Sequence, residues 1–379
     1  MTSAFPCLVL HLPSSRFMGR FEKLGSCCKR VRKGVRLQCT SRAVDPNAAG
    51  GNEEYVIAEL TTLGKTSLKV SKLGVGTLQW GDPGSGFGDK YVEEDLGNAF
   101  DELVKGGINF FDTAEVYGYQ GIPSGKSAEQ MIGRFLLRQA IQEASKASLS
   151  PKIATKFFTI PWTNFLVGGG FRLGRKSLLD ALTASLKRLG KSKIDLYQIH
   201  FPFPTFSNSA LMESLKEAVE LGLTSAVGVS NYSKVQMEEA ADLLAQYRVP
   251  LASNQVKYSL LSRKAEEEGL LKVCKERSIT LIAYSPLESG LLSAKTFQRK
   301  DRRALQVQPL LRTLEKIGQE SGGKSITQVA LNYLVCKGAL PIPGCKTTNQ
   351  AKEHCGVLDW RLEADQVAAL DQEAKLLKA

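Results

Sequence analysis

From Leu73 onward the chain repeats one unit eight times, a short apolar segment followed by an amphipathic stretch. Segments of that kind bury both faces of a parallel sheet only when the intervening helices wrap it. They begin near Leu73 (L-G-V-G-T), Ile108 (I-N-F-F-D), Lys152 (K-I-A-T-K), Ile194 (I-D-L-Y-Q-I-H), Thr224 (T-S-A-V-G-V-S), Ala252 (A-S-N-Q-V-K), Thr280 (T-L-I-A-Y-S) and Ala339 (A-L-P-I-P). Eight strand–helix units predict an α/β fold, a single (β/α)8 TIM barrel. The competing architecture is a doubly wound open sheet in two lobes. Its usual mark, a G-x-G-x-x-G turn between the first strand and helix, does not occur at the first turn.

Local signals agree with the barrel. Leu96, Ala99, Phe100, Leu103 and Val104 line one face of a first helix that Gly106-Gly107 stops. Ser127 with Gln130, Ser177 with Asp180 and Ser233 with Gln236 have the spacing by which side chains satisfy first-turn amides, and each is expected to open a crossover helix. Ahead of the first strand, Leu60 to Val70 alternates around Gly64-Lys65, predicting a β-hairpin suited to plugging the barrel's lower mouth. Two segments exceed what a plain barrel needs, Gly118 to Lys126 and Thr159 to Gly174. Both follow strands, so both belong to the functional rim.

The formal charge of +12 suggests a nucleic-acid partner until it is divided along the chain. Residues 1–52 hold nine Lys/Arg and two Asp/Glu, leaving 41 minus 36, or +5, for residues 53–379. The body is mildly basic without a concentrated stripe, which argues against nucleic-acid binding. The first 52 residues, Ser-containing, basic and nearly acid-free, have the composition of a disordered organellar transit peptide, plastid before mitochondrion. Pro6, His11, Pro13 and Arg16 interrupt any secretory core, and no run is long enough for a transmembrane segment. The domain division is therefore a leader at 1–52 and a barrel at 53–379. Oligomeric state leaves no mark. Cys7, Cys27, Cys28 and Cys39 fall in the leader, while Cys274, Cys336, Cys345 and Cys355 show no C-x-x-C or His-rich spacing. They read as buried thiols, and no metal site is assigned.

The strongest chemical signal is F-D-T-A-E-V-Y-G, Phe111 to Gly118, which sets Asp112 and Tyr117 at the end of the second strand. Lys156 ends the third strand in A-T-K-F, and His200 ends the fourth in Y-Q-I-H-F. These four residues, in this order, resemble the catalytic tetrad of the aldo-keto reductase family, and the resemblance runs from about Leu60 to Leu370. It is reinforced by G-V-S-N (Gly228 to Asn231), N-Q (Asn254-Gln255), Y-S-P-L (Tyr284 to Leu287) and I-P-G-C-K (Ile342 to Lys346). Carbonyl reduction by hydride builds negative charge on oxygen, which must be protonated or held by donors already aimed at it. Tyr117 is the natural acid. A free phenol's pKa of about 10 is too high for that task, and the Lys156 ammonium is expected to lower it. Asp112 would keep Lys156 charged and fixed, and His200 would orient the carbonyl.

The resemblance implies an oxidoreductase that reduces an aldehyde or ketone, such as a reactive carbonyl or pyridoxal, with NADPH/NADP+ as cofactor. Ser230, Asn231 and Gln255 match the family's carboxamide ligands, and Tyr284 the aromatic on which nicotinamide stacks. Ser285, Pro286, Leu287, Gly290 and Leu292 match the loop beneath the pyrophosphate. Gly76, Thr77 and Gly344 join the cofactor set. Lys346 is the candidate for the adenosine 2′-phosphate, with Gln350 and Glu353 at phosphate and adenine contacts. His354 stands where the family usually has an Asn. Trp80, Phe157, Trp162, Phe201 and Phe203 are expected to line the substrate pocket. The alternative is a cofactor-binding regulatory module with little turnover, as in the family's channel-associated subunits.

Overall fold

Strand pairing in the computed structural model follows chain order throughout, over the described residues 59–142, 149–163, 167, 171, 172 and 174–377. The expected leader lies outside those residues. A hairpin comes first, β1 (Leu60–Thr62) antiparallel to β2 (Lys69–Ser71). Eight parallel strands follow: β3 (Gly74–Gly76), β4 (Phe110–Asp112), β5 (Lys152–Phe157), β6 (Ile194–Ile199), β7 (Thr224–Ser230), β8 (Leu251–Lys257), β9 (Thr280–Tyr284) and β10 (Leu340–Ile342). The two sheet edges meet where the Gly76 N–H donates to the Pro343 carbonyl at 3.0 Å, so the barrel is nearly closed. Around it lie α1 (Glu93–Lys105), α2 (Ala128–Gln142), α3 (Lys176–Leu189), α4 (Asn208–Glu220), α5 (Lys234–Gln246), α6 (Lys264–Glu267), α7 (Leu270–Arg277), α8 (Arg302–Glu320), α9 (Ile326–Cys336), α10 (Thr348–Cys355) and α11 (Ala364–Leu376).

Two of the three expected caps form. Gln130 accepts from the Ser127 N–H at 3.1 Å, and Ser233 with Gln236 makes a full capping box. The third does not, because α3 begins at Lys176 and Ser177 lies inside its first turn. A box not anticipated, Ser325 with Gln328, opens α9.

The barrel interior is built in two tiers. Large Phe110, Leu196, Ile282 and Leu340 interleave with small Ala154, Ala226 and Ala252, and the hairpin residues Leu63, Leu68 and Val70 close this apolar tier from below. The expected plug is thus present. Two residues further along the same strands the inward positions turn polar: Asp112 on β4, Lys156 on β5, Gln198 on β6. A larger apolar layer packs the outer strand faces against the helices. Period-two alternation divides each strand between the two environments. It is interrupted once, at an irregularity in the β7–β8 register where Ala252 is extra. That bulge carries Gln255 onto the inner face. Among the described residues no helix is long and apolar enough to cross a membrane.

Candidate active site

At the carboxyl ends of the strands a buried ammonium ties three elements together. Lys156, fully buried, donates to Asp112 Oδ2 at 2.5 Å, to the Thr113 carbonyl at 2.8 Å and to the Tyr117 hydroxyl oxygen at 3.2 Å. An ammonium has three donors and no acceptor, so the Tyr117 oxygen must be the acceptor and its own O–H is left to donate elsewhere. Asp112 cannot stay ionised out of water without donors. It has them: Oδ1 accepts from Gln255 Nε2 at 2.7 Å and from Gln198 Nε2 at 3.2 Å. Gly118 fixes the loop that carries Tyr117. Its φ is +64°, and a Cβ there would lie 2.7 Å from the Trp80 carbonyl.

Burial pushes the Tyr117 phenol above its ordinary pKa, and the nearby Lys156 only partly offsets this. The expected lowering by Lys156 is therefore outweighed, and Tyr117 keeps its proton through neutral pH. Burial alone would lower Lys156, but Asp112 and Tyr117 outweigh it and the net direction is up. The pair is an ammonium beside a protonated phenol.

His200 stands next to it, its ring 5.8 Å from that of Tyr117. Burial, then Lys156, holds the imidazole well below its usual pKa, so it is neutral. Nδ1 is buried with no partner among the described residues. A buried unpaired N–H is rarer than an unpaired acceptor, so we assign the proton to Nε2. A neutral His200 can donate a hydrogen bond into the site but has no second proton to give.

The residues expected around nicotinamide converge. Ser230 Oγ donates to the Gln255 carbonyl at 2.8 Å, Asn231 Nδ2 donates to the His200 carbonyl at 3.0 Å, and the Tyr284 hydroxyl donates to Asn231 Oδ1 at 2.9 Å. Tyr284 is a half-buried ring held at its outer edge. The loop after β9 holds Ser285, Glu288, Ser289 and Gly290 at positive φ. For the non-glycine residues this costs about 1 kcal/mol or more each, a strain common where loops are shaped for ligands. Leu287 and Leu292 pack into the outer core, and Gly290 is exposed. Thr77 is buried and donates to the Asp112 carbonyl, while Gly76 and Gly344 form the bridge that closes the barrel. The Lys346 ammonium sits 5.1 Å above the Tyr91 ring, and its backbone N–H donates to Gln350.

Sequence reasoning passed over two cations here. Buried Glu288 pairs with Lys257 at 3.0 Å and Arg303 at 3.1 Å. A fixed aromatic face, convergent amide and hydroxyl groups, and three cations, Lys257 at the end of β8, Arg303 in the first turn of α8 and Lys346 after β10, fit a nicotinamide dinucleotide. One expected contact does not. His354 is buried with Nε2 engaged on the Gly344 carbonyl at 3.2 Å. Glu353 accepts from Ser325 at the start of α9.

Two expected pocket residues are corrected as well. Trp80 is fully buried, edge-on to Phe135 of α2, with Nε1 on the Cys345 carbonyl. Phe157 is fully buried against Phe206. Both belong to the sheet–helix layer and cannot line an open pocket. The rim carries Phe201, Trp162 and Phe203, the last two edge to face at 6.3 Å, and it adds Phe158, 5.1 Å from His200. Strand alternation was the available signal for Phe158. With Ala154 and Lys156 inward on β5, residue 157 faces out and residue 158 faces in.

The long loop after β5 is held by a buried ion pair. Arg172 grips both oxygens of Glu115, at 2.6 and 2.7 Å, and donates to the Phe158 carbonyl, while the Phe158 N–H donates to Glu115.

Comparisons with known proteins place the chain in a family. The model of the Aldo/keto reductase family matches residues 72–375. The chain is 34% identical over 321 residues to chloroplastic pyridoxal reductase of Arabidopsis thaliana, covering 81% of this chain and 84% of that protein. It is 28% identical over 341 residues to L-glyceraldehyde 3-phosphate reductase of Escherichia coli O157:H7, covering 84% and 93%. The crystal structure of a thermostable aldo-keto reductase with the inhibitor epalrestat is similar at a TM-score of 0.65 and 30% identity, over 83% of this chain and 99% of that one.

Proposed function

The chain belongs to the aldo/keto reductase family and is one of its oxidoreductases, and from that premise we propose that it uses NADPH to reduce an unphosphorylated, flat aldehyde of the pyridoxal kind, with Tyr117 as proton donor. Family membership itself implies NAD(P)H-dependent reduction of a carbonyl. The observation that carries the proposal is the Asp112–Lys156–Tyr117 chain, 2.5 Å and then 3.2 Å long, which leaves the Tyr117 proton to face the site.

Ser230, Asn231 and Gln255 would hold the carboxamide, Tyr284 would support the ring, and Lys346, Lys257 and Arg303 are cations for the phosphates. When bound, the reduced nicotinamide supplies the hydride. Neutral His200 donates through Nε2 to the carbonyl oxygen and fixes its direction. Tyr117 then transfers its proton to that oxygen, and the phenolate left behind is stabilised by Lys156 at hydrogen-bond distance.

The rim supports the proposed substrate class. Phe158, Phe201, Trp162 and Phe203 offer aromatic surface, and the loop Thr159 to Gly174 contains a single cation, Arg172, already spent on Glu115. That favours the chemistry named for the Arabidopsis relative over the phosphorylated aldehyde named for the bacterial one. We propose also that residues 1–52 direct the protein to plastids, supported by their composition and by the chloroplastic relative.

The test follows loss of reduced-nicotinamide absorbance with residues 53–379, pyridoxal, benzaldehyde and glyceraldehyde 3-phosphate. Pyridoxal and benzaldehyde are expected to turn over at least ~10-fold faster than the phosphorylated aldehyde, about 1.4 kcal/mol of discrimination. Tyr117→Phe is expected to lose at least ~100-fold in turnover while NADPH affinity changes little. Reduction surviving in Tyr117→Phe would overturn the acid assignment. Tight NADPH binding with no carbonyl reduced would favour the regulatory module instead.

A further inference from the structure

Gln198 is fully buried on the inner face of β6, two residues before His200, and beyond its hydrogen bond to Asp112 it takes no part in the proposed proton transfer. Its neighbours are unusual for a barrel interior. Nε2 donates to Asp112 Oδ1 at 3.2 Å, and Oε1 lies 3.5 Å from Gln255 Nε2, which donates to the same carboxylate oxygen at 2.7 Å. Which end of each amide is nitrogen is settled by chemistry, since an ionised carboxylate only accepts. The barrel makes room for this side chain by omission. A Cβ on Gly228 of β7 would stand 3.2 Å from Gln198 Cγ and 2.4 Å from Ser253 Oγ.

Asp112 therefore has two faces with different duties. Oδ2 is given wholly to Lys156, while Oδ1 is held by two amides that carry no net charge. A carboxylate free to rotate would share both oxygens with the ammonium and let Lys156 drift from Tyr117. Amide dipoles aimed at Oδ1 also offset part of the negative charge that Asp112 projects toward the Tyr117 phenol, a charge that makes the phenol a weaker acid. Gln255 cannot do this alone, because it also lies among the residues assigned to the nicotinamide carboxamide.

We infer that Gln198 is a positioning residue for the reaction, holding the Asp112 carboxylate so that Lys156 stays on the Tyr117 oxygen while Tyr117 protonates the carbonyl. This rests on the reading of Tyr117 as the acid. The titratable groups facing this cluster are Lys156 on β5, Tyr117 in the loop after β4, His200 just after β6 and Tyr284 on β9.

Two substitutions test it in the holoenzyme with pyridoxal or benzaldehyde. Gln198→Met keeps the bulk and removes the donor. It is expected to lower kcat ~5- to 30-fold, the loss of one hydrogen bond to a charged group, with KM for aldehyde and Kd for NADPH within ~2-fold of the parent. Gln198→Glu sets a second carboxyl against Asp112, and two such groups share a proton. While protonated, the new carboxyl donates to Oδ1 as the amide did; once ionised, it repels Asp112. Its kcat is therefore expected to show a new alkaline fall below pH ~10, at a pH where the parent and Gln198→Met are flat. Loss of packing alone would produce no such limb. The inference is overturned if Gln198→Met keeps kcat within ~2-fold of the parent, or if Gln198→Glu parallels the parent's pH profile. Should Gln198→Glu fail to fold, the kcat against KM split of Gln198→Met decides alone. Tyr117→Phe runs beside them. If it retains activity, the acid reading fails. If it is inactive and the Gln198 variants are not impaired, only the Gln198 inference fails.

Discussion

Lys346 shows how much one side chain's surroundings add to its position. Its place after the last strand marks it as a phosphate ligand from sequence, because barrels gather phosphate sites there. Its partner Tyr91 was not legible, since that ring comes from the loop before α1 and the contact exists only once β3 and β10 close the barrel. A cation over an aromatic face is held without losing its charge. Lys346→Ala is expected to raise the Kd for NADPH by ~10-fold or more, the loss of a charge-assisted contact of about 1.5–3 kcal/mol, with NADH changed by less than ~2-fold. Titration of both dinucleotides by fluorescence checks this, and equal losses would remove the 2′-phosphate role. The meeting of Asp112, Tyr117, Lys156 and His200 at one end of the barrel, by contrast, was readable from the sequence. Asp112, Tyr117, Lys156 and His200 each end a strand or the turn just after one, where backbone periodicity leaves little freedom. Trp80 and His354 were misplaced for the opposite reason, since one lies beyond a strand end and the other on a helix, where the choice of inward or outward is made by packing; Phe157 ends β5 on its outward face.

The elements carry their own lesson in β5 and the loop it feeds. Alternation along the strand would have put Phe158 in the site and Phe157 outside it, but the aromatic pair masks the period. The β7–β8 irregularity at Ala252 is invisible in sequence because S-N-Q is polar throughout and offers no apolar period in which a shift would show. The Glu115–Arg172 pair was illegible because its members lie on different loops, yet it joins the turn bearing Tyr117 to the rim bearing Phe158. Breaking a buried pair leaves an uncompensated charge, at a cost of about 3–5 kcal/mol. Arg172→Met is accordingly expected to lower thermal stability and raise KM for aldehyde, with Kd for NADPH little changed. Adding Glu115→Gln should recover part of the stability by removing the stranded charge. Calorimetry of both variants checks it, and a double variant no more stable than Arg172→Met would argue that the pair is not the source of the loss.

At the scale of the whole molecule, charge is divided unevenly along the chain, with +5 of the formal +12 on residues 53–379 and the remainder on residues 1–52. A fluorescent reporter carrying residues 1–52 is expected in plastids when imaged in plant cells, and cytosolic fluorescence would reject the targeting proposal. The barrel count and the plug were legible because both rest on periodicity, whereas closure was only implied. The hairpin has a consequence in time. Its Gly64 N–H bonds to Thr280 Oγ1, 216 residues later, and Leu63, Leu68 and Val70 find their apolar partners among strands reaching to β10. The segment that leaves the ribosome early must therefore wait, its apolar side chains unmatched, until nearly the last strand has been made. Such long-range pairing slows folding and lengthens exposure to aggregation, so the earliest part of the barrel to be synthesised is among the last to be finished.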